Sequence, residues 1–152
     1  MDVTAIQSIT VNIYSEVLDL LEELEAHTPY LAKFSLRFCI ATALIFGHVA
    51  LDDFTDERLR HPEILRLMRI TSLREDPELT RFYLQKWPSR VEIELTNGKR
   101  YQGYCEYPKG NPENPLPEKE MIDKFIRVCG DSITKNEKEK TGTSNPKPRK
   151  SK

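Results

Sequence analysis

Three polar residues stand at the start of the longest apolar stretch of this chain and could together bind an anion. Lys33 and Arg37 are four residues apart, so they share one face of a helix, and Ser35 lies between them. The first amides of a helix also lack partners and attract negative charge. The cluster therefore predicts a site for a carboxylate. The alternative is that Lys33 and Arg37 pair with acidic residues of the preceding helix.

Other polar residues that could do chemistry have simpler structural explanations. His27, His48 and His61 are widely spaced, and each lies near a predicted helix boundary, where a histidine is usually a cap or a surface residue. The acidic pairs at 52–53 and 56–57 fall at a helix start, where they complement its macrodipole. The chain has no glycine-rich phosphate loop, no Cys-x-x-Cys cluster and no Gly-x-Ser-x-Gly elbow. Because these motifs are absent, the sequence predicts no catalytic residue, no metal site and no cofactor.

The elements that must position the cluster are helices. Ser15 can cap a short amphipathic helix with one acidic face, whose apolar residues recur at helical spacing up to Leu24. Thr28 can cap the next element, with proline at its first position. Apolar residues then occur on every side from Leu31 to Phe46, which predicts a single buried helix that Gly47 ends.

Strands are predicted before and after these helices in the sequence. Apolar residues alternate within 6–14, as in a half-buried strand, and 70–73 forms a brief second one. Residues 91–95 alternate again before Asn97-Gly98, and a three-residue loop with Gly98 left-handed pairs Ile93 with Tyr101 and keeps the apolar faces together. Two or three antiparallel strands with several helices predict an α+β fold, a small antiparallel sheet packed with helices.

The remaining helices and loops follow from prolines and caps. Thr55 or Asp53 can cap a short helix, and Pro62 restarts one after His61. A connecting loop or single helical turn is expected over 76–86, and a stiff proline-rich loop over 108–117. A last helix begins at Pro117 or Glu118 and ends at Gly130. Its buried side is predicted to hold Met121, Ile122, Phe125, Ile126 and Cys129.

The charge is unevenly distributed along the chain. Of 23 basic and 24 acidic residues, seven basic and two acidic lie within 135–152, so the remainder is mildly acidic. An acidic body argues against a nucleic-acid-binding protein, whose positive charge covers a folded face. We expect one domain over 1–134 and a disordered basic tail over 135–152, since no apolar residue follows Ile133.

The cysteines and the apolar runs bear on the compartment. Cys39, Cys105 and Cys129 are an odd number in apolar contexts, which predicts buried, reduced thiols. No signal peptide is recognisable, and the longest apolar run, 38–46, is too short to span a bilayer. The expectation is a cytoplasmic protein with no membrane partner.

Three segments in this order and spacing resemble a known family. They are AKFSLRFC at 32–39, DFTDERL at 53–59 and YPKGNPENPL at 107–116. The set resembles the C-terminal domain of the MmgE/PrpD family, which includes 2-methylcitrate dehydratase, cis-aconitate decarboxylase and iminodisuccinate epimerase. The resemblance extends over residues 6 to 130.

The resemblance implies an α+β lid that packs over the active site of a helical domain. Family reactions act on di- and tricarboxylic acids, usually by proton removal beside a carboxylate, without a metal or organic cofactor. The resemblance carries over Ser35 as a neighbour of the active site and places Phe38 where members usually have a tyrosine. Together with Lys33 and Arg37 of the cluster described above, these are the predicted substrate-binding residues. The family's catalytic lysine segment is expected before residue 1 and its other catalytic groups in the helical domain, so no catalytic residue carries over.

Three functional hypotheses follow. In the first, a helical domain on a separate chain completes a lyase or isomerase that acts on di- or tricarboxylic acids. In the second, the chain is a non-catalytic remnant or an interaction module, alone or as a homodimer. The third, a nucleic-acid adaptor that works through 135–152, conflicts with the acidic body and is the weakest.

Overall fold

The computed structural model describes residues 2–21 and 26–129, and the chain forms two compact units, 1–108 and 109–152. Within these residues the first unit contains one mixed sheet of four strands, in the order β2-β1-β3-β4. The strands are β1 (Ile6–Ile13), β2 (Thr71–Glu75), β3 (Ser89–Leu95) and β4 (Arg100–Cys105). β1 pairs with β2 in parallel, whereas the other pairs are antiparallel. The α+β class is confirmed, but the parallel pair was not predicted.

Alternation decides which face of β1 is buried. Ile9, Val11 and Ile13 are at most 3% exposed and face the helices, whereas Thr10 and Asn12 between them are only half-buried on the other face. β1 lies between β2 and β3, so its apolar face forms the centre of the core. The strand predicted over 6–14 is confirmed.

The β3–β4 hairpin has the register that the sequence predicts. Ile93 pairs with Tyr101, and the Leu95 amide donates to the Lys99 carbonyl over 2.9 Å. Gly98 has a φ of +78°, the left-handed conformation that a three-residue bulged loop requires. The bulged hairpin is confirmed.

The first unit has six α-helices within the described residues. They are α1 (Ser15–Leu21), α2 (Pro29–Ala32), α3 (Leu36–Phe46), α4 (Asp56–Leu59), α5 (Pro62–Arg69) and α6 (Pro77–Thr80). Thr28 and Thr55 accept hydrogen bonds from the amides of Leu31 and Arg58. α6 is the single helical turn that the sequence left open as an alternative to a loop.

The prediction of one continuous helix from Leu31 to Phe46 is wrong. Ser35 has an extended backbone, and its Oγ accepts a hydrogen bond from the Phe38 amide at 3.3 Å. A serine side chain that caps in this way competes with helical hydrogen bonding, so α2 ends and α3 begins anew. Lys33 caps the end of α2, and Arg37 is the second residue of α3. They are therefore not one turn apart on a single helix.

α3 and α5 cover the buried face of the sheet. Phe38 and Ala41 of α3, with Ile64 and Leu67 of α5, are completely buried in the same cluster as Ile9. Burial of a side chain as large as that of Phe38, Ile64 or Leu67 stabilises the folded state by about 1.5–3 kcal/mol. This packing fixes the start of α3 beside the end of α5.

The second unit is described over residues 109–129 and contains α7 (Glu118–Cys129). Gly110, with a φ of +103°, donates its amide to the Asn114 carbonyl over 2.8 Å, and Lys109 pairs with Glu120. The predicted buried side of α7 is wrong, because Met121 and Phe125 are 55% and 44% exposed. The described part of this unit holds no other helix or strand that could cover them. Gly130 and the predicted tail over 135–152 lie outside the described residues.

The cysteines are all free thiols, but their burial differs from the prediction. Cys39 and Cys129 are half-buried, whereas Cys105 is exposed on β4. In the described part of the chain, no helix has the length and apolarity needed to cross a membrane. The same residues contain no group of three metal-ligating side chains.

Candidate ligand-binding site

A pocket of about 470 Å³ opens where the start of α3 meets the end of α5. It is lined by Ala26, His27, Ser35, Arg37, Leu65, Met68, Arg69 and Thr71. Two of the residues predicted to bind a carboxylate, Ser35 and Arg37, are therefore brought together in one concave site.

Arg37 is held in place by the first residue of β2. Its Nε donates to the Thr71 carbonyl over 3.2 Å, and the Thr71 hydroxyl in turn donates to the Leu67 carbonyl over 2.7 Å. Thr71 is only 4% exposed, so this anchor is well shielded from water. Among the described residues the remaining guanidinium nitrogens have no partner. An arginine oriented in this way can offer two parallel donors to a carboxylate.

Ser35 supplies a second set of donors at the start of α3. Its Oγ already accepts the Phe38 amide, so its hydroxyl hydrogen is available to donate. The first two amides of α3, those of Leu36 and Arg37, have no hydrogen-bond partner within the described residues. Ser35 is 4% exposed, which limits competition from water for these groups. The helix start adds partial positive charge to the pocket.

The charge of the pocket is positive on its described walls. Arg37 and Arg69 carry fixed positive charge, and the third basic side chain on these walls is that of His27. None of the described residues that line the pocket is acidic. The alternative predicted for Arg37, an ion pair with the preceding helix, concerns Glu22, Glu23 and Glu25, which lie outside the described residues.

The other two residues predicted for this site lie elsewhere. Lys33 is exposed in the turn between α2 and α3 and is not among the lining residues. Phe38 is completely buried, and its ring centre lies 5.7 Å from that of Phe54 in the core. Its side chain contributes packing at the base of α3 rather than a surface of the pocket.

Two lining residues, His27 and Arg69, were not predicted to belong to this site. The sequence assigned His27 a structural role at a helix boundary. Arg69 lies in the last turn of α5, where a basic residue ordinarily compensates the helix dipole. No local signal distinguishes that role from ligand binding, because Arg69 and Arg37 meet only through the packing of α5 on α3.

Cys39 follows the pocket residues on α3 but does not supply a nucleophile. Burial raises the pKa of its thiol, and its Sγ lies 3.9 Å from the Ala32 carbonyl oxygen. The thiolate is the reactive form, so a raised pKa lowers the reactivity of this sulfur.

A second charged cluster lies at the opposite end of α3 and includes a buried carboxylate. Asp53 is 3% exposed and accepts a hydrogen bond from the Ala50 amide at 2.8 Å. Its two oxygens also lie 3.6 Å from a nitrogen of Arg58 and from Nε2 of His48. The Arg58 guanidinium stacks 3.6 Å above the centre of the Phe46 ring. Among the described residues, this carboxylate therefore has one hydrogen-bond donor and two basic side chains beside it.

Fold and pocket together define an α+β domain with a cationic, concave site at a helix start. The family model for the MmgE/PrpD C-terminal domain matches residues 1–145. The chain therefore belongs to the MmgE/PrpD C-terminal domain family, as the three sequence segments predict. No curated protein matches it significantly.

Proposed function

We propose that this chain is the C-terminal lid of an MmgE/PrpD-type lyase or isomerase and that its pocket binds one carboxylate of a di- or tricarboxylic acid. The observation that carries the proposal is that Ser35, Arg37 and Arg69 line one pocket in which no described lining residue is acidic. Membership of the family supports the same substrate class.

Each pocket residue has a definite part in this proposal. Arg37, oriented by the Thr71 carbonyl, binds the carboxylate with the guanidinium nitrogens that have no partner among the described residues. Ser35 donates its hydroxyl hydrogen to the same group, and Arg69 adds long-range attraction at the exposed rim. These groups bind and orient the acid, and no cofactor is needed for that role.

The catalytic groups, in this proposal, come from a helical domain of the family on a separate chain. The lid would then close over the substrate and exclude water from the reacting atoms. Three free thiols support a reducing compartment, so we place the assembly in the cytoplasm.

Calorimetric titration of the full chain with citrate, a tricarboxylic acid, tests the binding step. Arg37→Gln removes the charged donors and should weaken citrate binding about tenfold or more, as loss of a charged hydrogen bond does. Arg81→Gln is the matched control, because Arg81 caps α6 and does not line the pocket. Absence of citrate binding, or equal weakening in both variants, would contradict the proposal.

The second candidate is an interaction module without chemistry. It is favoured by the apolar side of α7, where Met121, Phe125 and Val128 are 44–58% exposed. Co-purification of the tagged chain with a helical protein of the family, followed by assay on 2-methylcitrate, separates the two candidates. A complex that dehydrates the acid supports the lid, whereas a complex with neither turnover nor citrate binding supports the module.

A further inference from the structure

β4 forms one edge of the sheet, and its outer side is unoccupied by the described residues. It pairs only with β3, and the bonded pairs alternate along an antiparallel ladder. Because Leu95 and Lys99 are a bonded pair, the odd-numbered residues of β4 bond to β3. The N–H and C=O groups of Arg100, Gln102 and Tyr104 therefore point away from the sheet.

Beyond the charge of Arg100 at its start, β4 has none of the usual protection against pairing with another strand. Natural edge strands carry charges, prolines or bulges that discourage such pairing. Residues 101–105 of β4 read Tyr-Gln-Gly-Tyr-Cys, with no charge and no proline, and all five are exposed. The edge is thus open to another strand along most of its length.

No contact or backbone angle within the described residues requires a glycine at position 103, in the middle of β4. Its φ is not positive, and a Cβ built on it would meet no atom within 4 Å. Glycine inside a strand costs stability, and it often marks a place where another backbone approaches closely. The edge therefore has its least bulky residue at its centre.

Antiparallel pairing of β4 with a second β4 about a two-fold axis at Gly103 satisfies these features together. Gln102 then faces Tyr104 of the copy, and both present outward backbone groups, so they exchange hydrogen bonds. Continued one residue beyond the end of β4, the same register places Arg100 opposite Glu106 of the copy, twice by symmetry. An axis at Gln102 instead places Arg100 opposite Tyr104 and loses this charge pairing.

We propose that two copies of this chain associate through their β4 edges, in the register that faces Arg100 with Glu106. The proposal does not depend on the pocket, so it stands or falls separately from carboxylate binding. The interface is isologous and extends the four-stranded sheet to eight strands across the pair.

Sedimentation equilibrium of the full chain in reducing buffer measures this association without disulfide-linked dimers. Gln102→Pro removes an outward N–H while leaving the β3 ladder intact, and should weaken dimerisation about tenfold or more. Gln102→Ala keeps that N–H and should dimerise like the wild type. A monomeric wild type, or a proline variant that dimerises normally, would overturn the proposal.

A charge exchange tests the register itself. Arg100→Glu and Glu106→Arg should each weaken the dimer about tenfold, because each places like charges opposite one another at two positions. The double variant should recover wild-type affinity. Within one chain both reversed residues still meet like charges, since Arg100 pairs with Glu94 and Glu106 with Lys86. Recovery can therefore come only from the contact between copies, and failure to recover would exclude this register.

Discussion

Arginine and histidine side chains lie at both ends of α3, but only the C-terminal end has a described carboxylate beside them. At the C-terminal end, Asp53 is satisfied by Arg58, His48 and the Ala50 amide. At the N-terminal end, Arg37 is anchored by one carbonyl, and no described residue of the pocket offers it a carboxylate. The contrast shows that charge alone does not identify a site. What distinguishes the pocket is a set of positioned donors whose acceptor is absent from the described walls.

Among the substitutions at the two ends of α3, that of Asp53 should cause the largest loss in the free energy of unfolding. Asp53→Ala removes a buried acceptor and leaves the Ala50 amide and Arg58 without their partner, so we expect a loss of about 2–3 kcal/mol in the free energy of unfolding. Urea denaturation measures it. Asp52→Ala, at an exposed neighbouring position, should change stability by less than about 0.5 kcal/mol.

Citrate affinity provides the second readout for Asp53→Ala. If the two ends of α3 act independently, the folded variant binds citrate as the wild type does. A loss of citrate binding in a variant that is still folded would show that the Asp53 cluster belongs to the ligand site. The two ends of α3 would then not be separate in function.

A carboxylate introduced into the pocket should make the N-terminal end of α3 resemble the C-terminal end, where a carboxylate already lies beside the basic side chains. Leu65 lines the pocket and is 39% exposed, so Leu65→Glu places an acid near Arg37 and Arg69 at little cost in packing. Citrate affinity should fall about tenfold, the equivalent of roughly 1.4 kcal/mol of repulsion and competition. Titration calorimetry measures the change. Leu51→Glu, 58% exposed near the Asp53 end, is the control and should leave citrate affinity unaltered.

The smallest effects should come from the caps of α3. Ser35→Ala loses the N-cap, and Gly47→Ala places a Cβ on a residue with a φ of +77°. Each should cost about 1 kcal/mol of stability in thermal or urea unfolding. Only Ser35→Ala should also weaken citrate binding, because only Ser35 lines the pocket. Equal citrate binding in the two variants would remove Ser35 from the site.

Local patterns predict much of this fold because their causes lie within a few residues. The Asn97-Gly98 loop admits one bulged register that keeps apolar faces together, and the structure has that register. Pro62 likewise starts a helix at its own position. The division between α2 and α3 was missed because the apolar pattern continues across it, while one serine side chain ends it.

The candidate site was predicted only in part. Ser35 and Arg37 are neighbours in sequence, so a single motif could indicate both. His27 and Arg69 join them through long-range packing, and no motif of their own marks them. Lys33 was grouped with Arg37 on the assumption of a continuous helix, and that assumption is wrong.

The amino-acid sequence by itself determined the family, the α+β class, the hairpin register and the caps at Thr28 and Thr55, because these depend on short-range periodicity, turn residues and local hydrogen bonds. Tertiary structure decided the parallel pairing of β1 with β2 and the meeting of Arg37 with Arg69. It also decided which end of α3 keeps donors without a described acceptor. These outcomes depend on how α3 and α5 pack against the sheet, and packing sums many weak contacts between residues far apart in the chain.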